Sequence, residues 1–573
     1  MAREMTNPRD ESHHDRATAS TGLFGFEGKL APDGTPLREL PDLRHLTPQL
    51  VPYLLPFQRV IYVRDLLPLV GPHRKRRAPP SSSRALMRLM RVSHLDDIGK
   101  YGPGNAALPL PEHRDLPEFT LLDSLVGRDA LYMGLNLYYS FPQLLRTTLY
   151  RLAELQGVKN NSASEEEPGR IIHWAPDPHS PVAEQISALN GWEWPHYGAI
   201  DSTPLFIRGI LRVLDDDPGF LTASYVGVDG KEHQMGPALR AAADWLERRL
   251  QSNAEGLLEF HMSQPHGIWN QAWKDTPESY MHADGTYANH ARGIASIEVQ
   301  ALAYDTLIDL AHHYARQIEC AGASPGGADP RARLKSAVAR ARELKDRVRE
   351  MFWLEDDRGG YFALATDRNE HGRPGPLAVR TSNMGHALHL LDGDDPETAR
   401  RRQALIETLF SDELLDRNGV RTLASSEIRF VPFSYHCGSV WGWDNQVIAK
   451  ELRQAGYPAL ARDLERRTWQ VVDTLGFFAE FVPGNNAASP SELTITNVVD
   501  VYDGEREHYS NCYRIEKPAQ EVQAWTAEAI RTIKRGYRPL QPELSAPTAA
   551  ADPAKREFEF RLLSGTRFPS SGA

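Results

Sequence analysis

One segment, Gln264 to Gln300, concentrates side chains able to do chemistry: QPHGIWNQAWKDTPESYMHADGTYANHARGIASIEVQ. Trp269 and Trp273 offer flat apolar faces on which a sugar ring could stack. Asn270 and Gln271 between them supply the paired donors and acceptors that hydroxyls need. Asp275 follows the second indole by two positions, where partial loss of water favours the protonated carboxyl. A carboxylic acid kept neutral near pH 7 can protonate the leaving oxygen of a glycosidic bond. The competing reading is packing and turn chemistry in an aromatic loop. Farther along, His436, Trp441 and Asp444 form a polar-aromatic group suited to lining a first sugar subsite. Trp192 and Trp194 fit either an outer stacking platform or a packed loop.

These loops need a scaffold, and the pattern from about Gly127 onward supplies one made of helices. The clearest stripe is Ile297, Ala301, Tyr304, Ile308, Ala311, Ala315 and Ile318, whose steps of three and four place one apolar face against a neighbour. Leu334, Ala337, Ala341, Leu344, Val348 and Met351 form its partner. Further helices are expected near 128–140, 142–156, 203–215, 236–251, 382–391, 396–412, 439–455, 457–475 and 519–535, with a twelfth from the N-terminal segment or 181–189. Strand signals are sparse. Paired helices joined by alternating short and long connections suggest a closed ring of hairpins with its long loops at one mouth. Asp201 precedes Ser202-Thr203-Pro204, an expected helix cap followed by an early proline.

The chain has 573 residues, enough for a substantial core. Its net charge of −11 gives no cationic field for nucleic acid or anionic lipid, so a neutral partner such as carbohydrate is expected. The oligomeric state is left open. Three scattered cysteines make neither a disulfide framework nor a zinc site, and no metal or cofactor is expected. The polar N-terminus lacks a secretory pattern and no apolar run is long enough to span a membrane, so a cytoplasmic location is expected. Residues 1–122 read as an N-terminal extension, disordered to about residue 20 and then wrapping the body. Residues 123–537 read as the helical body, and 538–573 as an extended, draping tail. The basic run Arg74 to Arg77 reads as a solvated loop.

Five clusters then line up in order: Gly127-Arg128-Asp129 with Phe141-Pro142 and Leu152 to Gly157; His196 to Phe206; Trp273-Lys274-Asp275 with Glu298-Val299-Gln300; Ser382 to His386 with Ser434 to Trp441; and Ala479 to Gly484 with Gln523-Ala524-Trp525. Over roughly 123–537 this set resembles the C-terminal amylo-α-1,6-glucosidase domain of glycogen debranching enzymes. The resemblance implies an all-α, (α/α)6 toroid that hydrolyses terminal α-glucosidic bonds with inversion. It implies Asp275 as general acid and Glu480 as general base, with Arg128 and Asp129 holding hydroxyls of the terminal sugar. By the same carry-over Tyr197, Asp201, Lys274, Glu298, Gln300 and His386 join Trp269, Asn270, Trp273, His436, Trp441 and Asp444 as sugar contacts. Glu521 competes with Glu480 for the role of base.

The sequence departs from that family in four places. Gly442-Trp443 precede Asp444-Asn445 where the family has Pro-His, and Trp174 rather than Glu follows His173. The base motif reads Ala479-Glu480-Phe481, with an insertion from Ala487 to His508 after it. The upstream domain of debranching enzymes is missing or reduced to the N-terminal extension. A small glycoside or oligosaccharide is therefore at least as apt a substrate as a branched glucan. An inverting phosphorylase and a catalytically silent sugar-binding toroid are the alternatives.

Overall fold

The computed structural model describes residues 107–108, 124–139, 141–176, 181–263, 267–321, 328–393, 395–476, 478–486, 496–502, 512–518, 522–535 and 553–564. In chain order its helices are α1 (Gly127–Leu137), α2 (Pro142–Glu154), α3 (Pro181–Asn190), α4 (Ser202–Leu214), α5 (Met235–Leu250), α6 (Ile297–Ala321) and α7 (Ala328–Met351). A 3-10 helix (Ser382–Leu391), α8 (Pro396–Leu409), α9 (Gly442–Gln454), α10 (Pro458–Leu475), α11 (Ala524–Arg535) and α12 (Pro553–Ser564) follow.

Six of these close a ring. Helix α1 packs on α4, α4 on α6, α6 on the 3-10 helix, that helix on α9, α9 on α11, and α11 back on α1. Outside them, α2, α5, α7, α8 and α10 back α1, α4, α6, the 3-10 helix and α9 in turn. This is the (α/α)6 toroid. Composition explains which helix lies inside. Helix α4, STPLFIRGILRVL, is apolar on most sides and buried on most sides. Sequestering Leu205, Phe206, Ile207 and Ile210 contributes roughly 1.5–3 kcal/mol each. Helix α7 carries charges around a narrow stripe, and only Ala337, Ala341, Leu344 and Val348 of it are buried.

The connections carry small antiparallel sheets that brace the loops. Ser124–Val126 pairs with Trp174–Pro176 just before α1, and Val440–Trp441 pairs with Phe481–Val482 just before α9. Ile294–Ser296, Ala365–Arg368 and Pro374–Leu377 form a three-stranded sheet before α6. Within and beyond the expected insertion, Thr496–Tyr502 and Cys512–Pro518 form a hairpin whose first strand lies against the turn Pro277–Ser279.

The terminal segments are described only in part, and the C-terminal one departs from expectation. Of residues 1–122, only Ala107–Leu108 are among the described residues, and they pair with Val522–Gln523 at the start of α11. The expected disorder to residue 20, the wrapping segment and the basic run lie outside the described residues. The tail is not uniformly extended: α12 packs on α10, and Glu559 accepts from Ala459 N (2.6 Å) and Leu460 N (3.2 Å) in the first turn of α10. Lys555 Nζ donates to Ala455 O (3.0 Å), so α12 caps both the end of α9 and the start of α10. Helix α3 occupies the 181–190 stretch but lies in the loop between α2 and α4, outside the ring. Among the described residues no helix is long and apolar enough to cross a membrane.

Candidate active site

The polar centre is built from the first turns of the inner helices. Arg128, Asp201, Glu298, His386, Asp444 and Trp525 each stand in or directly before the opening turns of one of the six. Gly127 starts α1 so close to the segment leading into Trp174–Pro176 that a Cβ there would sit 2.2 Å from Ile172 O, which accounts for glycine before Arg128. Arg128 is almost wholly buried and holds three partners. Its Nε meets Asp201 Oδ2 at 2.6 Å, its Nη1 meets Asp275 Oδ2 at 3.5 Å, and its Nη2 donates to Gln271 O at 3.1 Å. Burial alone would lower its pKa, but Asp201 and Asp275 hold it above the ordinary arginine range. Asp201 turns to Arg128 and makes no side-chain cap on α4, so the expected capping role is corrected: the buried guanidinium outcompetes the helix N-terminus.

The loop bearing Asp275 is fixed from behind. Gln271 Nε2 donates to Glu165 Oε2 (2.6 Å), and Arg170 Nη2 donates to Gln271 Oε1 (2.7 Å). Lys274 is buried and donates to Thr422 O at 2.6 Å. Burial lowers its pKa, with partial relief from Asp444, to about 8. Trp273 lies near-parallel to His386 (6.3 Å) and edge-on to Trp443 (5.1 Å), His436 (5.4 Å) and Trp441 (5.8 Å). Asp275 itself keeps its carboxyl 38% exposed beside this aromatic floor.

Glu480 comes from the other side of the ring. The strand Phe481–Val482 is paired with Val440–Trp441, and a Cβ at Gly484 would meet Gly438 O at 2.0 Å, so the two segments cross in close contact. Tyr435 donates its hydroxyl to Glu480 Oε1. Burial and then the charges of Glu480, Asp275 and Asp129 push that hydroxyl well above the usual tyrosine range. Asp129 is raised to about 7, first by burial and further by Asp275, Asp201 and Glu480, against the pull of Arg128. Thr276, the residue after Asp275, lies 3.0 Å from His436 through its Oγ1, and Tyr435 beside that histidine holds Glu480, so both loops lie against one segment.

The remaining sequence-predicted residues divide into two groups. His386 Nε2 lies 2.6 Å from Asp444 Oδ1, and His436 Nδ1 lies 3.0 Å from Thr276 Oγ1, while the His436 ring stacks on Trp441 (5.5 Å). These belong to the aromatic floor around Trp273. Glu298 Oε1 accepts from Tyr280 (3.1 Å) and Ser296 (3.0 Å). The second group is occupied with the scaffold. Asn270 bridges Thr276 O (2.7 Å) and His290 Nε2 (2.9 Å), and Gln300 exchanges bonds with both backbone groups of Leu258 (2.9 Å each). Tyr197 donates to Leu155 O (2.8 Å), and Trp269 packs on His290 (4.9 Å) and Tyr287 (6.2 Å). Trp192 and Trp194 meet edge-on at 5.8 Å, and Trp192 lies over His196 at 4.3 Å. Glu521 lies outside the described residues. Tyr435 and Trp443 are given no site role from the sequence, although both lie in segments quoted from it. Their signal was adjacency to His436 and Asp444. Among the described residues no group of three or more His, Cys, Asp or Glu side chains could hold a metal ion.

Residues 166–493 match the family described as mannosylglycerate hydrolase MGH1-like glycoside hydrolase domain. The stretch contains Asp275 and Glu480 and leaves α1 and α11 outside. No curated protein matches the chain. Among solved structures it is similar to the GH63 mannosylglycerate hydrolase from Thermus thermophilus. In complex with Tris and D-glycerate, the identity is 13%, with 79% of this chain and 98% of that chain covered and a TM-score of 0.47. For the complex with glucose the figures are 14%, 80%, 100% and 0.42. The family matched is thus not the debranching-enzyme domain that the motif order resembles; what the two readings share is a glycoside hydrolase. With more than half of its length matched, the chain belongs to the MGH1-like glycoside hydrolase family.

Proposed function

We propose that this protein is an exo-acting, inverting glycosidase that cleaves a terminal α-glucosidic or related α-glycosidic bond in a short oligosaccharide or small glycoside. Asp275 is the general acid and Glu480 the general base. One observation carries the reading: Tyr435 bonds Glu480, while its neighbour His436 places Nδ1 3.0 Å from Thr276 Oγ1, the residue after Asp275. Two carboxyls from loops remote in sequence therefore act within one centre. Asp275 protonates the leaving oxygen as the anomeric C–O bond breaks. Glu480 takes a proton from the water that attacks the opposite face, and the product has inverted configuration. Arg128 makes its short ion pair with Asp201 (2.6 Å) and only a longer one with Asp275 (3.5 Å). Trp273 and the surrounding histidines and indoles supply the face for the terminal sugar.

An α-1,6-glucosidic bond of the debranching type, and action in the cytoplasm, are narrower forms of the same reading. The family's description makes glycosylated glycerates such as mannosylglycerate worth including among substrates. Turnover of aryl glycosides, disaccharides and these glycerates is expected to fall about 10²–10⁴-fold in Asp275→Asn and in Glu480→Gln. Sugar binding, read by calorimetry, persists in both. Early-time NMR should show the inverted anomer. Wild-type rates in either variant, or a retained anomer, would remove the assignment; turnover that requires phosphate would replace hydrolysis with phosphorolysis.

A further inference from the structure

Tyr435 reaches Glu480 from the segment whose strand Val440–Trp441 pairs with Phe481–Val482. Its carbonyl accepts from Trp441 Nε1 (2.9 Å) and from Ser439 Oγ (2.6 Å). Its ring is clasped edge-on by His436 (4.5 Å), Trp441 (4.9 Å) and Phe481 (5.2 Å). Gly438 N donates to Thr422 Oγ1 (2.9 Å), and Thr422 O accepts from Lys274, the neighbour of Asp275. The phenol is thus locked at both ends of its ring, and the mounting is tied to the loop of Asp275.

We propose that Tyr435 is a positioning residue that fixes one oxygen of Glu480 and thereby directs the other toward the attacking water. The proposal rests on the reading of Glu480 as general base and adds a residue to it. Glu480 is buried, yet a glutamate has several rotamers open to it unless a partner fixes its carboxylate, and the water between acid and base tolerates little displacement. A neutral donor answers both needs. It orients the oxygen and stabilises the ionised form that must accept a proton. The hydroxyl stays protonated throughout the working range, because burial and the flanking carboxylates oppose its ionisation. The charged and titratable groups around it are Glu480, Asp275 with Lys274, Asp129 with Arg128, and His436. Of these, Glu480 is the group that takes the phenolic proton in a hydrogen bond.

The test compares wild type, Tyr435→Phe, Phe481→Leu and Glu480→Gln on the best glycoside found. In Tyr435→Phe, kcat should fall about tenfold or more with KM little changed, since the ring and the sugar contacts remain. The acidic limb of its kcat profile should move up by about one to two pH units, the size of a lost hydrogen bond to a charged group. Phe481→Leu removes a ring contact but keeps the hydroxyl, and its acidic limb should stay in place. An unmoved limb in Tyr435→Phe, or an equal movement in Phe481→Leu, overturns the proposal while the glycosidase assignment stands. Undiminished turnover in Glu480→Gln would overturn both.

Discussion

Arg128 shows how one side chain can serve both the structure and the chemistry. Its fork spans Asp201, Asp275 and Gln271 O, and lysine could satisfy only part of that geometry. Arg128→Met leaves the buried Asp201 carboxylate without its cation, a change expected to cost about 3–5 kcal/mol of stability. Urea unfolding followed by circular dichroism measures it, and a loss below about 1 kcal/mol would mean that Asp201 is neutral in the fold. The types of Arg128, Asp201 and Asp275 were legible in the sequence, but their mutual contact was not. Asn270 and Gln300 illustrate the converse. Both carry the right atoms for sugar hydroxyls, yet their amides are engaged by Thr276, His290 and the Leu258 backbone. A sequence states how many donors a residue has. It does not state which buried carbonyl claims them first.

At the scale of elements, periodicity located the inner helices but did not distinguish their type. The 382–391 stretch reads as a helix either way, and ten residues are too few to separate a repeat of 3.0 from one of 3.6. The 3-10 form brings His386 and His389 onto one edge, where they face Asp444 and Glu451 two turns apart on α9. His389 Nδ1 lies 2.8 Å from Glu451, its Nε2 lies 3.1 Å from Asp305 on α6, and Arg208 of α4 meets Asp305 at 2.9 Å. One charged chain thus ties four consecutive inner helices. Burial alone would lower the imidazole, but Glu451 and Asp305 raise it to about 10. Raised above its ordinary value of 6.5, it contributes stability that is whole below pH 6.5 and is lost as pH rises through about 10. Thermal melts should therefore show a decline between those values that His389→Gln flattens, with a loss at about pH 6 on the order of 3 kcal/mol. Identical slopes in the two proteins would take His389 out of the network.

Ring closure is the property of the whole molecule that no local pattern encodes. Alternating short and long connections suggested a ring, and the motifs at helix starts suggested one functional end. The seam where α11 returns to α1 joins the two ends of the body and lies outside the stretch that matches the family. There Asn136 Nδ2 of α1 donates to Glu528 Oε1 of α11 at 2.6 Å, while Glu528 Oε2 is buried with no hydrogen-bond partner among the described residues. Burial, with the nearby charge of Asp129, pushes this carboxyl well above the ordinary glutamate range despite the Asn136 bond. Burial thus favours the protonated form of this carboxyl, which closes the seam as the acceptor of the Asn136 amide. A glutamate raised in this way favours folding most below its ordinary pKa and progressively less as pH climbs toward the folded value. Glu528→Gln keeps the acceptor and cannot ionise. Its melting temperature at pH 7 should equal or exceed that of the wild type, with a smaller decline toward alkaline pH. Glu528→Leu leaves the Asn136 amide unpaired and should cost about 1–3 kcal/mol. A marked fall in the melting temperature of Glu528→Gln alone would mean that the seam is held by a carboxylate, with a counter-charge supplied from elsewhere in the chain.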